Sequence, residues 1–117
     1  MNIGDYARTK KGIIGKIKAI DNQTELEDLY LVKRKWYYKE DIIKSSPNII
    51  DLIEVGDILK FKDTKHYEEV EAIDDEKLYL TNYIYMSGLQ EYKEEIQNDL
   101  EWVITHEQIE SMKYEVE

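Results

Sequence analysis

Carboxylates are the most abundant chemical resource in the second half of this chain. Glu68, Glu69, Glu71, Asp74, Asp75 and Glu76 form one dense run, and Glu94, Glu95 and Asp99 lie in a second, within residues 91–101. A calcium loop would need alternating oxygen ligands, a central glycine and a distal glutamate. The first run has no glycine and reads as strand then turn, so no metal is expected there. Taken as a surface, the two runs imitate the phosphate charge of nucleic acid, which would attract a basic protein groove. The competing reading is an ordinary solvated face.

The first half offers the opposite chemistry. Lys33, Arg34, Lys35, Trp36, Tyr37 and Tyr38 interleave cations with rings, the composition of a nucleic-acid platform where cations track phosphate and rings stack on bases. Arg8, Lys10, Lys11, Lys16 and Lys18 would extend that basic face. The alternative is that Trp36 and one tyrosine pack the core while the cations sit at a turn. Two histidines are present, His66 in a turn-like stretch and His106 at a helix start. Neither has a nucleophile near it in a recognisable motif. There is no G-x-S-x-G, P-loop or H-E-x-x-H, so no enzyme, catalytic residue or cofactor is expected.

Charge is divided along the chain. Residues 1–53 hold ten Lys and Arg against eight Asp and Glu, or +2; residues 54–117 hold six against eighteen, or −12. The 117 residues contain no cysteine, which excludes disulfides and thiolate metal sites. No apolar run is long enough to span a membrane and no secretory h-region opens the chain, so a cytoplasmic protein is expected. Ten tyrosines against one phenylalanine suit half-buried strands and binding faces alike.

The elements that must position these residues read as a repeat. Val55-Gly56-Asp57-Ile58 restates Ile3-Gly4-Asp5-Tyr6. Residues 4–9 open as a strand; residues 13–20 and 29–33 are rich in β-branched and aromatic residues and read as the next two, and residues 56–61, 70–74 and 78–80 answer them. Residues 36–38 and 42–44 make a fourth strand, broken near Glu40 and Asp41. Ser46 with Pro47 reads as a helix start, with Ile50 and Ile53 four and seven residues on. Thr105 and Gln108 form a capping box, with Ile109 and Met112 at the same spacing. All four apolar residues are expected to be buried. Extra residues in the second copy fall between Thr81 and Glu101. There Tyr83 and Tyr85 alternate as on a strand, Ser87-Gly88 suggests a turn, and Leu89, Tyr92 and Ile96 fit helix or strand.

The openings Gly4-Asp5-Tyr6-x-Arg8-Thr9, Gly12-x-x-Gly15-x-Ile17 and Val55-Gly56-Asp57 resemble SH3-like or KOW-type barrels. Over nearly its whole length the chain also resembles small uncharacterised proteins of Gram-positive phages and prophages. The stretches that carry this likeness are residues 1–6, 45–57 and 104–112. The resemblance implies a mobile-element accessory protein, such as an inhibitor of a host defence nuclease of the CRISPR kind, and transfers no catalytic residue. The expected fold is mainly β: two tandem SH3-like small barrels or curled sheets, each ending in a short capped helix. They would span residues 1–53 and 54–117 and pack as one compact body. The expected function is non-enzymatic inhibition of a basic, nucleic-acid-handling host protein through the acidic half. The alternatives are a nucleic-acid or nucleotide-binding module using the basic–aromatic half, and a phage structural or assembly component.

Overall fold

In the computed structural model, residues 1–22, 27–82 and 87–112 are described. The chain divides into two compact units, Met1–Leu52 and Ile53–Glu117. Each holds one five-stranded antiparallel sheet, so the fold is mainly β.

In the first unit the strands are β1 (Tyr6–Thr9), β2 (Ile14–Asp21), β3 (Leu29–Val32), β4 (Lys35–Tyr38) and β5 (Ile42–Ser46). In the second they are β6 (Ile58–Phe61), β7 (Tyr67–Ile73), β8 (Lys77–Asn82), β9 (Ser87–Tyr92) and β10 (Leu100–Ile104). The order across the first sheet is β4-β3-β2-β1-β5, and across the second β9-β8-β7-β6-β10. The first and last strands of each unit are therefore neighbours. Both sheets are open, not closed barrels.

The repeated Gly-Asp pair has the same structural job in both units. Gly4 and Gly56 adopt φ of +94° and +93°, a conformation that side chains resist and glycine accepts. Gly4 N donates to Ile17 O at 2.8 Å, and Gly56 N to Val70 O at 2.8 Å. The Asp5 side chain accepts from Asn2 N at 3.0 Å, and that of Asp57 from Glu54 N at 2.8 Å. The ladders β2–β3 and β7–β8 even break register at matching places, between Ile17 and Ala19 and between Val70 and Ala72.

Alternation along the strands sorts the side chains. Ala7, Ile17, Tyr30 and Val32 form the core of the first unit, with Ile20, Tyr37 and Ile42 packed against them. Leu59, Phe61, Val70, Leu78, Leu80 and Ile96 are the buried counterparts in the second.

Several expectations need correction. Each unit has five strands where four were expected: in the first, the break near Glu40 and Asp41 is a 3-10 turn, Lys39–Asp41, that separates β4 from β5, and in the second β9 is added within the extra residues. The first unit ends in a 3-10 turn, Ile49–Leu52, not a capped α-helix. Ser46 closes β5; its hydroxyl accepts from Asn48 N at 3.1 Å and donates to Asp51 Oδ2 at 2.6 Å. Ile50 and Ile53 are buried as expected. Ile109 is only half-buried. Met112 is 79% exposed, because the final helix stops at Ser111 and leaves it beyond the packed face. Ser87 and Gly88 lie in β9, not in a turn. Leu89 and Tyr92 share that strand, whereas Ile96 belongs to the one-turn helix α1 (Lys93–Ile96). Tyr83 and Tyr85 lie outside the described residues.

Candidate functional site: an acid-lined cleft

Strand β7 presents Glu68 and Val70 to the same side, and both are buried. Glu68 is only 5% exposed, although it was expected among exposed docking acids. The reason is parity: Tyr67, Glu69 and Glu71 take the other face, where Glu71 is exposed. No hydrogen bond holds the Glu68 carboxylate among the described residues. The matching position in the first unit is Gly15, which pairs with Ala7 as Glu68 pairs with Leu59. The sheet therefore forms without a carboxylate at this point.

Glu68 opens into a cleft of about 210 Å³ lined by Phe61, Asp63, Thr64, Glu68, Glu91, Ile96 and Asp99. The β6–β7 connection and the α1–β10 connection form its walls. Thr64 Oγ1 donates to Phe61 O or His66 O, both at 3.3 Å, fixing the first wall. Lys62 N donates to Asp99 O at 2.8 Å, and Asp99 N to Ile96 O at 3.0 Å, tying the second wall to it. Burial pushes the Glu68 carboxyl above the ordinary carboxylate range, and the Glu91 charge raises it further. His66 nearby pulls it partly back. Four carboxylates over an apolar floor of Phe61 and Ile96 match one ligand chemistry: a cation on an aliphatic or planar stem, as in lysine or arginine.

The first acidic run contributes Glu68 to this cleft, and the second contributes Glu91 and Asp99. The remaining acids do other things. Asp74 organises the β7–β8 turn, accepting from Glu76 N at 2.9 Å, Lys77 N at 2.7 Å and Tyr79 OH at 2.7 Å. The Tyr79 hydroxyl, then the two backbone amides, hold its carboxyl below the usual range. Asp75 and Glu76 are exposed at the same turn, and Glu94 and Glu95 are exposed on α1. Glu69 is half-buried. Asp63 belongs to neither run, and nothing in its local sequence marks it.

The basic–aromatic stretch is placed differently from its expectation. Lys33 and Arg34 form the two-residue turn between β3 and β4, at φ of +47° and +69°. That turn fixes the parity of β4, an edge strand. Tyr37 packs against the core, and Lys35 Nζ lies 5.4 Å from its ring centre. Trp36 and Tyr38 point the other way and are 45% and 50% exposed. Trp36 is thus not a core residue. Arg8 is not part of a basic face: it is fully buried and donates from Nη1 to Leu52 O at 3.0 Å. Lys10, Lys11, Lys16 and Lys18 are exposed.

Among the described residues, Glu54, His106 and Glu107 bring three metal-ligating atoms within 4.8 Å of one another. His106 was noted in the sequence only as a helix start, and its partner Glu54 lies 52 residues away. No family model, curated protein or solved structure matches the chain. No helix among the described residues is long and apolar enough to cross a membrane.

Proposed function

We propose that this protein is a non-enzymatic binding protein that docks on a basic, nucleic-acid-handling protein through its acidic unit. The cleft at Glu68 receives a lysine or arginine side chain of that partner. One observation carries the reading. A carboxylate that is 5% exposed and has no hydrogen-bond partner among the described residues faces a cleft bearing Asp63, Glu91 and Asp99. Drawing a carboxylate towards the protein interior and beside the Glu91 charge is unfavourable for its ionised form. A guanidinium or ammonium entering the cleft would offset that cost through charge-assisted hydrogen bonds. The wider imbalance of residues 54–117 would steer a basic partner towards it. In this reading the protein is a phage-type accessory factor that inhibits a host defence nuclease. Its units are a tandem pair of SH3-like sheets, a view supported by their identical strand order and matched Gly-Asp turns.

Calorimetric titration with an arginine-rich peptide tests the cleft. Binding is expected to weaken as salt is added. Glu68→Gln and the triple change Glu94/Glu95/Asp99→Lys should each weaken it sharply. Folded variants that bind with unchanged affinity would remove the cleft from the docking surface. A pull-down from nuclease-treated host lysate then identifies the partner, which duplex DNA should displace.

A second reading is favoured by the exposure of Trp36 and Tyr38 beside the Lys33-Arg34 tip. Rings free of the core on an edge strand, next to cations, suit stacking on single-stranded nucleic acid. Fluorescence anisotropy with short DNA and RNA strands decides it. Affinity should fall steeply with salt and fall again in Trp36→Ala. No binding at low salt would end this reading.

A further inference from the structure

We infer that Glu54, His106 and Glu107 form a binding site for a divalent transition-metal cation of the zinc class, independent of the acidic cleft. His106 Nε2 lies 2.8 Å from Glu54 Oε1 and 2.7 Å from Glu107 Oε1. That nitrogen carries at most one proton, and the proton points along one line. Two carboxylates that are 22% and 17% exposed nevertheless converge on it, beside a histidine that is 41% exposed. Even a protonated imidazole would leave the three groups with a net negative charge. A divalent cation at their centre would neutralise the carboxylates and take the imidazole lone pair at the same time.

The donor set is one imidazole nitrogen and two carboxylate oxygens. This is the mixture that suits zinc and its neighbours, with a fourth position left for water on the exposed side. Metal–ligand distances of ~2.0–2.2 Å place tetrahedral ligand atoms ~3.3–3.6 Å apart. The two imidazole–carboxylate contacts would open by less than ~1 Å to reach that spacing, and the three atoms already lie within 4.8 Å of one another. Calcium and magnesium, which want six or more oxygens, fit poorly.

One buried carboxylate ties the scaffold beneath the site together. Asp57 is fully buried, and its two carboxylate oxygens hold the backbones of two ligands: Oδ2 accepts from Glu54 N at 2.8 Å and Oδ1 from His106 N at 2.9 Å. Gly56 leaves room for the histidine, since a Cβ there would stand 3.3 Å from His106 Cβ. The sister unit repeats one half of this scaffold. Asp5 makes the same turn with Asn2 in the place of Glu54. After Ser46 come Pro47 and Asn48, where His106 and Glu107 follow Thr105. The Gly-Asp turn therefore forms without a carboxylate at the Glu54 position, whereas Pro47, lacking an N–H, has no counterpart to the His106 N to Asp57 Oδ1 bond.

The test is calorimetric titration of the full chain with Zn²⁺ alone, paired with thermal unfolding at increasing Zn²⁺. One equivalent should bind, and the melting temperature should climb as Zn²⁺ exceeds its dissociation constant. Mg²⁺ and Ca²⁺ should not substitute. His106→Ala should lower Zn²⁺ affinity about tenfold or more, as should Glu107→Gln and Glu54→Gln. The two glutamine variants keep the side-chain shape and carry the test if the alanine variant does not fold. Glu40→Gln, exposed in the first unit, should bind Zn²⁺ as the parent does. No binding at millimolar Zn²⁺, or one-equivalent binding that survives both glutamine changes, would overturn the assignment. Failure of the arginine-peptide titration would leave this site untouched, because the two share no residue.

Discussion

The Glu68 carboxyl holds its proton more tightly in the folded chain than in the unfolded one. It therefore favours folding at acid pH, and that advantage fades as pH climbs from the ordinary value of 4.5 through the raised one. Glu68→Gln removes the ionisation and keeps the shape. The variant should melt at a higher temperature than the parent at about pH 7 and at nearly the same temperature near pH 4, read by circular dichroism. A variant less stable at neutral pH would mean that the charged form is held by favourable contacts. The same change should weaken binding of a basic peptide, so stability and binding would move in opposite directions. Arg8 behaves in the opposite way. Its guanidinium is fully buried against the Leu52 carbonyl. Arg8→Leu keeps apolar bulk but strands that acceptor, and should cost about 1–3 kcal/mol in urea unfolding. The sequence hid this arginine because its partner lies 44 residues away. Glu68 was more legible: it shares the parity of Val70 on a strand, so an inward carboxylate could have been read there.

Among the elements, the β3–β4 hairpin is the most strained. Its two-residue turn needs positive φ at both central positions, and Lys33 and Arg34 fill them where asparagine and glycine are preferred. Replacing Lys33-Arg34 with Asn-Gly should raise stability by about 1 kcal/mol or more, seen as a higher urea midpoint with an unchanged slope. If the tip touches nucleic acid, the same variant should bind it more weakly. An unchanged midpoint would show that the lysine stem packed over Gly15 already offsets the strain. This turn also explains why the sequence left Trp36 open between the core and a binding face. A ring-rich run does not reveal which rings face inward, and the register of β4 is set by the turn length, not by the strand itself. The Gly-Asp turns were legible because their function is local: a glycine for φ and an aspartate for the amide three residues back. The capping box of the last helix was legible for the same reason. Its Thr105 Oγ1 accepts from Gln108 N at 3.3 Å, and Gln108 Oε1 accepts from Thr105 N at 3.0 Å.

For the molecule as a whole, the dominant quantity is the charge of residues 54–117. Eighteen acids against six lysines repel one another in the folded state. Sodium chloride should therefore raise the melting temperature as the Debye length shrinks from about 30 Å at 10 mM to about 8 Å at 150 mM. A flat response would mean that the acids are already paired or too far apart to repel. The two-unit plan was visible in the sequence, but the sheet order was not, since pairing the first strand with the last is a long-range choice with no local signature. That choice also acts in time. The hairpins β2–β3–β4 and β7–β8–β9 join neighbours in sequence and close on the order of microseconds. The ladders that finish each sheet join Tyr6 to Ser46 and Ile58 to Ile104. On a ribosome adding ~5–20 residues per second, β1 is made seconds before β5 exists to cover it. During synthesis each unit thus exposes one bare strand edge for that interval, and in the first unit the strand left waiting is the one that carries the arginine later sealed inside.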